Sequence, residues 1–365
     1  MNQADPALSF RRASFATAAL LLVCTACGES TATVDAPGAA DAPVAVDTVA
    51  DAAPVAPPPP CPTTGDNSLV VTGASCVVFT PTVAGADAAG VNADKSNYAL
   101  APTTGARGRL MLFINPSLGN PGQSIGDPQS NIYTAAIAAG DHALGVAYRS
   151  NLVIGAPNAC GGNDACFLPT RMAIVTGLPQ GPASAVRDIK PTESIYSRTA
   201  LALTYLVAAQ PSAGWQQYIV AGVDPVANPA GAVRWDKVIV TGHSQGGGHT
   251  LLLAKLQSVA RLVTLASPCD AVGITPATWM SVDATWKSSP AAIGWGFGQL
   301  TTFDANGVPN GGDTTCSAHA AIWNTLQFAA PRIFEDAVNC AGANPHTAPT
   351  KCPANMPRVQ AMFTM

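Results

Sequence analysis

Residues 238–248 read VIVTGHSQGGG. The β-branched run Val238-Ile239-Val240 climbs into Gly242-His243-Ser244-Gln245-Gly246, and Thr250, Leu251, Leu252, Leu253, Ala254 and Leu256 then follow a helical pattern. Gly-x-Ser-x-Gly is short enough to arise by chance in a glycine-rich chain, so its setting decides its meaning. A strand that turns sharply into a helix holds the middle serine in a strained conformation, with Oγ exposed at the carboxyl edge of a sheet. The flanking glycines are required because the turn brings backbone and Cβ atoms close together. The free N–H groups of the helix N-terminus then favour negative charge beside the serine. Strand, turn and helix all fall where this device needs them, so Ser244 is expected to be a nucleophile rather than one more loop serine.

The same alternation extends outward. Strands are expected at Ser68–Thr72, Cys76–Thr80, Arg109–Asn115, Ala143–Tyr148, Lys237–Thr241 and Arg261–Ala266, then within Ile293–Thr302 and near Arg332–Ala337. Helices are expected at Asn131–Ala139, after the Pro191-Thr192-Glu193-Ser194 cap, at Gly247–Val259 and within Ala318–Phe328, with loop beyond Asn339. RLMLFIN (109–115) is a continuous apolar run of the kind buried on both faces of a parallel sheet. Strands alternating with helices define an α/β class with a mostly parallel sheet flanked by helices. The stretch 149–191, rich in Gly, Pro and Asn, reads as an irregular wall or small cap over a site.

The pentapeptide resembles the nucleophile elbow of the α/β-hydrolase family, and the likeness covers most of residues 105–350. It is similar to exported bacterial serine hydrolases, esterase- or lipase-like, whose elbow reads Gly-His-Ser-Gln-Gly. The resemblance implies an eight-strand sheet, a Ser–acid–His triad in that chain order, and ester or acyl hydrolysis without a cofactor. It implies an oxyanion hole formed by the N–H of Gln245 and one N–H from the loop after RLMLFIN; that loop, 116–121, lacks the common His-Gly or Pro-Gly form, and Ser117 is the expected donor. The base must follow Ser244. His249 lies one turn along the elbow helix and suits a structural or substrate-lining role. His346, in the loop after the last expected strand, is preferred over His319. For the acid, Asp304 after the seventh strand ranks first and Asp270 after the sixth second, while Asp283, Asp313 and Asp336 read as surface charges. His243 is expected to fill space under the turn. Trp279, Trp286, Trp295 and Trp323 read mainly as core, with one or two available to an acyl pocket, and the stretch 279–299 is expected to help shape that pocket.

Composition bounds the remaining possibilities. The 365 residues are 48% hydrophobic and only 11% charged, with a net charge of −4. No Lys/Arg cluster lies beyond the N-terminus, which argues against nucleic acid as a partner. Arg11 and Arg12 precede a small, apolar stretch from Ala13 to Ala26, an export signal too short for a membrane span. It ends in Cys24-Thr25-Ala26-Cys27-Gly28, which resembles a bacterial lipoprotein signal with Cys27 lipidated; an ordinary secretory signal cut near Ala26 is the rival reading. Residues 28–60 are mostly Ala, Pro, Val, Thr and Asp, closing in PVAPPPP. They hold too little large apolar surface to fold and are expected to form a disordered, locally stiff tether. The domain is then expected to span 61–365.

Removing Cys24 and Cys27 leaves eight cysteines, an even number that argues for disulfides in an oxidising compartment. Sequence proximity favours 61–76, 160–166 and 340–352, leaving 269–316. No metal or nucleotide pattern is present. The expected protein is a monomeric serine hydrolase acting on small-molecule or lipid esters, secreted or tethered to the outer membrane through Cys27. A non-catalytic surface binding module on the same fold, or an acyltransferase using the same triad, remain the alternatives.

Overall fold

Eight strands form the central sheet: β1 (Ala74–Phe79), β2 (Asn97–Pro102), β3 (Leu110–Ile114), β4 (His142–Gly145), β5 (Val238–His243), β6 (Arg261–Leu265), β7 (Gly294–Phe297) and β8 (Ile333–Phe334). Their spatial order is β1-β2-β4-β3-β5-β6-β7-β8. β2 runs antiparallel to both neighbours, and every other pairing is parallel. This is the eight-strand, mostly parallel sheet of the α/β-hydrolase fold. The computed structural model describes residues 55–64, 68–124, 127–128, 130–306 and 308–365. The expected export signal, Cys27 and most of the tether lie outside the described residues.

β3 and β5 are buried along their whole length, as their apolar runs require. Alternate residues feed opposite layers. Leu110, Leu112, Ile114, Val238 and Val240 pack with α2 (Asp164–Thr176), α3 (Ile195–Ala209) and α4 (Gln245–Leu256). Met111, Phe113, Ile239 and Val263 pack on the other face with α1 (Ser130–Ala138) and the C-terminal helix Met356–Thr364. Each such fully buried aliphatic or aromatic side chain contributes roughly 1.5–3 kcal/mol of transfer free energy.

Several expectations are corrected. Ser68–Thr72 is not a strand, and β2, whose sequence NYALAP ends in proline, was not foreseen. The stretch 149–191 contains the 13-residue α2; Pro169 inside it and the Gly/Asn-rich flank disguise its pattern. The tail beyond Asn339 is not all loop, because Val359, Met362 and Phe363 recur at helical spacing and are buried in the C-terminal helix. The tether also ends earlier than residue 60. Pro58 is buried, Val78 N–H donates to Pro59 O (2.9 Å) and Pro60 bridges Val77, so the proline run covers the free edge of β1.

All eight cysteines from Cys61 onward are paired, as 61–76, 160–166, 269–316 and 340–352. The long-separation pair ties the loop after β6 to the loop after β7 (sequence separation 47). No helix among the described residues is long and apolar enough to cross a membrane.

Candidate active site

Ser244 sits between β5 and α4 with φ 54° and ψ −125°. A non-glycine residue with positive φ is uncommon and costs about 1–3 kcal/mol unless its surroundings impose it. Here the Ser244 N–H donates to Leu265 O (3.1 Å) and its carbonyl accepts from Gly247 N–H (3.0 Å). Gly242, Gly246, Gly247 and Gly248 all leave room that a Cβ would fill. A Cβ on Gly246 would run into Ile114 O at the end of β3, and one on Gly248 into the Arg171 guanidinium.

Ser244 lines a cleft of about 320 Å³ together with Ser117, Gln245, Arg171, Asp270 and the stretch 315–318. Gln245, the first residue of α4, is a junction. Its Oε1 accepts from Ser117 Oγ (2.9 Å) and from Ile154 N–H (2.8 Å), while its main-chain O accepts from Arg171 Nη1 (2.9 Å). The first N–H groups of a helix have no intrahelical partner. The Gln245 N–H therefore has no acceptor within the helix, and Ser117, held by the Gln245 amide, lines the same cleft.

His346 brings its imidazole to the elbow. Its ring lies 5.1 Å, centroid to centroid, from that of His243, the residue before Ser244. Its Nδ1 lies 3.1 and 3.0 Å from the two carboxylate oxygens of Asp313. A carboxylate only accepts, so Nδ1 carries the proton and Nε2 is left as a base. Asp313 is itself buried, which opposes ionisation, yet the hydrogen bond from His346 and the charges of His346 and His319 hold its carboxyl below the ordinary value. The main-chain N–H groups of Thr315 and Cys316 also donate to it, at 3.1 and 3.2 Å.

Asp313 therefore replaces Asp304 as the carboxylate facing the histidine. Asp304 is exposed in a hairpin turn, where its Oδ1 accepts from Asn306 N–H (2.8 Å) and Val308 N–H (2.9 Å). Both aspartates follow β7; Asp-Ala-Asn-Gly at 304–307 is the sequence of a turn. The usable signal was the position of Asp313 three residues before Cys316, which the cross-link to Cys269 draws toward the elbow. Asp270, the second-ranked acid, is also buried but faces Arg171 through two hydrogen bonds, one of them from Nε at 2.5 Å, and accepts from Trp279 Nε1 (3.1 Å).

His319 is fully buried, with Nδ1 on Cys316 O (2.7 Å) and its ring against Trp323. Burial holds its pKa below the ordinary value despite Asp313 nearby. His249 is buried edge-on to Tyr148 (5.2 Å), away from the cleft wall, and its pKa is pushed well down by burial and by the charge of Arg171. None of Trp279, Trp286, Trp295 and Trp323 lines the cleft, and neither does the rest of 279–299; the loops 269–273 and 315–318 do. The stretch 149–191 contributes its expected wall through residues 153–156 and Arg171. Asp313, Cys316 and His346 place ligand-type atoms within 4.8 Å of one another, but Cys316 Sγ is in a disulfide and the carboxylate is engaged by the imidazole, so the set does not suit a metal.

No family model matches the chain, and no curated protein matches it. Similar solved structures include a mutant of the esterase E40 (16% identity, covering 82% of this chain and 85% of that one, TM-score 0.37). An esterase of the bacterial hormone-sensitive lipase family matches at 18% identity, with coverages of 81% and 84% and a TM-score of 0.36. The carboxylesterase EstE1 matches at 12% identity, with coverages of 81% and 90% and a TM-score of 0.35.

Proposed function

We propose that this protein is a serine hydrolase that cleaves carboxylic esters through an acyl-enzyme. The observation that carries the reading is the Asp313–His346 hydrogen-bonded pair, whose imidazole lies against His243 of the elbow that holds Ser244 at positive φ. Ser244 Oγ attacks the ester carbonyl as His346 Nε2 takes its proton, and the oxyanion forms against the N–H groups of Gln245 and Ser117. The intermediate collapses, the alkoxide leaves with the proton from His346, and an acyl-Ser244 remains. Water, deprotonated by the same Nε2, attacks the acyl carbon; Ser244 recovers its proton and the acid departs. Asp313 holds the productive tautomer and stabilises the imidazolium.

We further propose that the chain works outside the cytoplasm, either released or held by a lipid on Cys27. Four disulfides support an oxidising compartment. The test of the catalytic reading is reaction with a fluorophosphonate, then intact mass and peptide mapping. A single adduct on Ser244, lost in Ser244→Ala together with ester turnover, is the expected result. A folded, unlabelled protein would leave a binding module on a hydrolase fold.

A further inference from the structure

The residue before the nucleophile is fully buried, yet it is polar and specifically engaged. His243 Nε2 lies 2.9 Å from the main-chain oxygen of His346. A carbonyl only accepts, so Nε2 carries the proton and donates it. The ring lies against the His346 ring at 5.1 Å with a 34° tilt, and Nδ1 has no hydrogen-bond partner among the described residues. A leucine or phenylalanine would fill the space under the turn without burying an unpartnered nitrogen, which ordinarily costs about 1–3 kcal/mol. Space-filling therefore does not account for a histidine here.

We infer that His243 is a positioning residue for the base: it fastens the backbone of His346 to the nucleophile elbow while Asp313 fastens the ring. The inference rests on the triad reading above. His346 stands on an irregular loop between β8 and the C-terminal helices, and that loop is pinned at its far side by Cys340–Cys352 and by the Asn344–Thr347 turn. Neither of these reaches the elbow. The bond from His243 does, and it ties the backbone of His346 to the strand that carries Ser244, while the ring keeps its own bond to Asp313. The donor also stays neutral beside the imidazolium that forms in turnover. The charged and titratable groups around it are His346, Asp313 and Lys351, and burial together with the charge of His346 pushes its pKa down to about 3.

The test compares His243→Leu, which keeps bulk and loses the donor, with His243→Gln, whose amide N–H can reach the same oxygen. Each is read in two ways on the whole protein. The first is kcat and KM per active site titrated with fluorophosphonate. The second is the low-field proton resonance of the Asp313–His346 hydrogen bond, which exists whether or not the site turns over. His243→Leu is expected to lower kcat on the order of 10- to 100-fold with KM nearly unchanged, and to shift and broaden the resonance. His243→Gln is expected to recover most of both. A His243→Leu protein with wild-type kcat per site and an unmoved resonance overturns the inference, as does a glutamine variant no better than leucine by either readout. A wild-type protein inert to esters and fluorophosphonate, whose resonance still shifts in His243→Leu, would sink the catalytic reading and leave the positioning role standing.

Discussion

Two aspartates are buried within the same small region, and they face different partners. Asp270, in the loop after β6, meets the guanidinium of Arg171 in a two-bond fork and accepts a third bond from Trp279. All of its partners are fixed donors, and both members of the ion pair are almost wholly excluded from solvent. Asp313, on the loop after β7, meets an imidazole that can gain and lose a proton, and that imidazole is 12% exposed. The Cys269–Cys316 cross-link joins the two loops. Burial alone does not tell these two carboxylates apart; on the proposed reading, the partner's ability to change charge does.

Substitutions can sharpen this contrast. The largest effect on turnover is expected from Asp313→Asn, which loses the charge that stabilises the imidazolium and admits the wrong tautomer. A fall in kcat of about 10³–10⁴-fold, with little change in Tm, is the expected outcome of steady-state assays and thermal unfolding. Asp304→Ala serves as its control and should leave both quantities unchanged. Asp270→Ala should reverse the pattern. Stripped of its partner, Arg171 becomes a lone buried cation, and urea unfolding should show a loss of roughly 3–5 kcal/mol. If Asp270→Ala were stable and inactive while Asp313→Asn kept its activity, the assignment of the two acids would have to be exchanged.

A further effect concerns acid. His243, His249 and His319 are all buried and held neutral, with pKa values below the ordinary one. In the unfolded chain each takes a proton near pH 6.5. Below that pH the unfolded state binds protons the folded state refuses, so stability falls as pH drops below about 6.5; for His243 the loss continues toward about 3, at up to about 1.4 kcal/mol per pH unit, and His249 and His319 act in the same direction. Urea midpoints at pH 7 and pH 5 should therefore differ, with the lower value at pH 5. Equal midpoints would mean these imidazoles are not kept neutral.

The elbow was legible because its chemistry is local: a β-branched run, two glycines and a helix lie within twenty residues of Ser244. Chain order pointed to His346, whose ring lies against His243 with Asp313 on its Nδ1. The carboxylate that faces it was not legible, because β7 is followed by a 21-residue connection, residues 298–318, that holds two aspartates, and only the fold shows which one turns inward. The side-chain hydrogen bonds of His243 and Gln245 were equally hidden, since their partners lie 103 and 128 residues away, at His346 and Ser117. Helix α2 was obscured by an internal proline, and the C-terminal helix by prolines near its start.

The backbone of Ser244 has a consequence for how this sequence persists. Its φ of 54° and ψ of −125° describe a conformation that glycine adopts freely and serine does not. Ser244→Gly should therefore unfold at a higher temperature than the wild type while hydrolysing nothing. Thermodynamic preference at this position points away from the hydroxyl, so random drift under selection for stability alone would erase it. A serine kept there across descendants would record continued demand for the reaction itself.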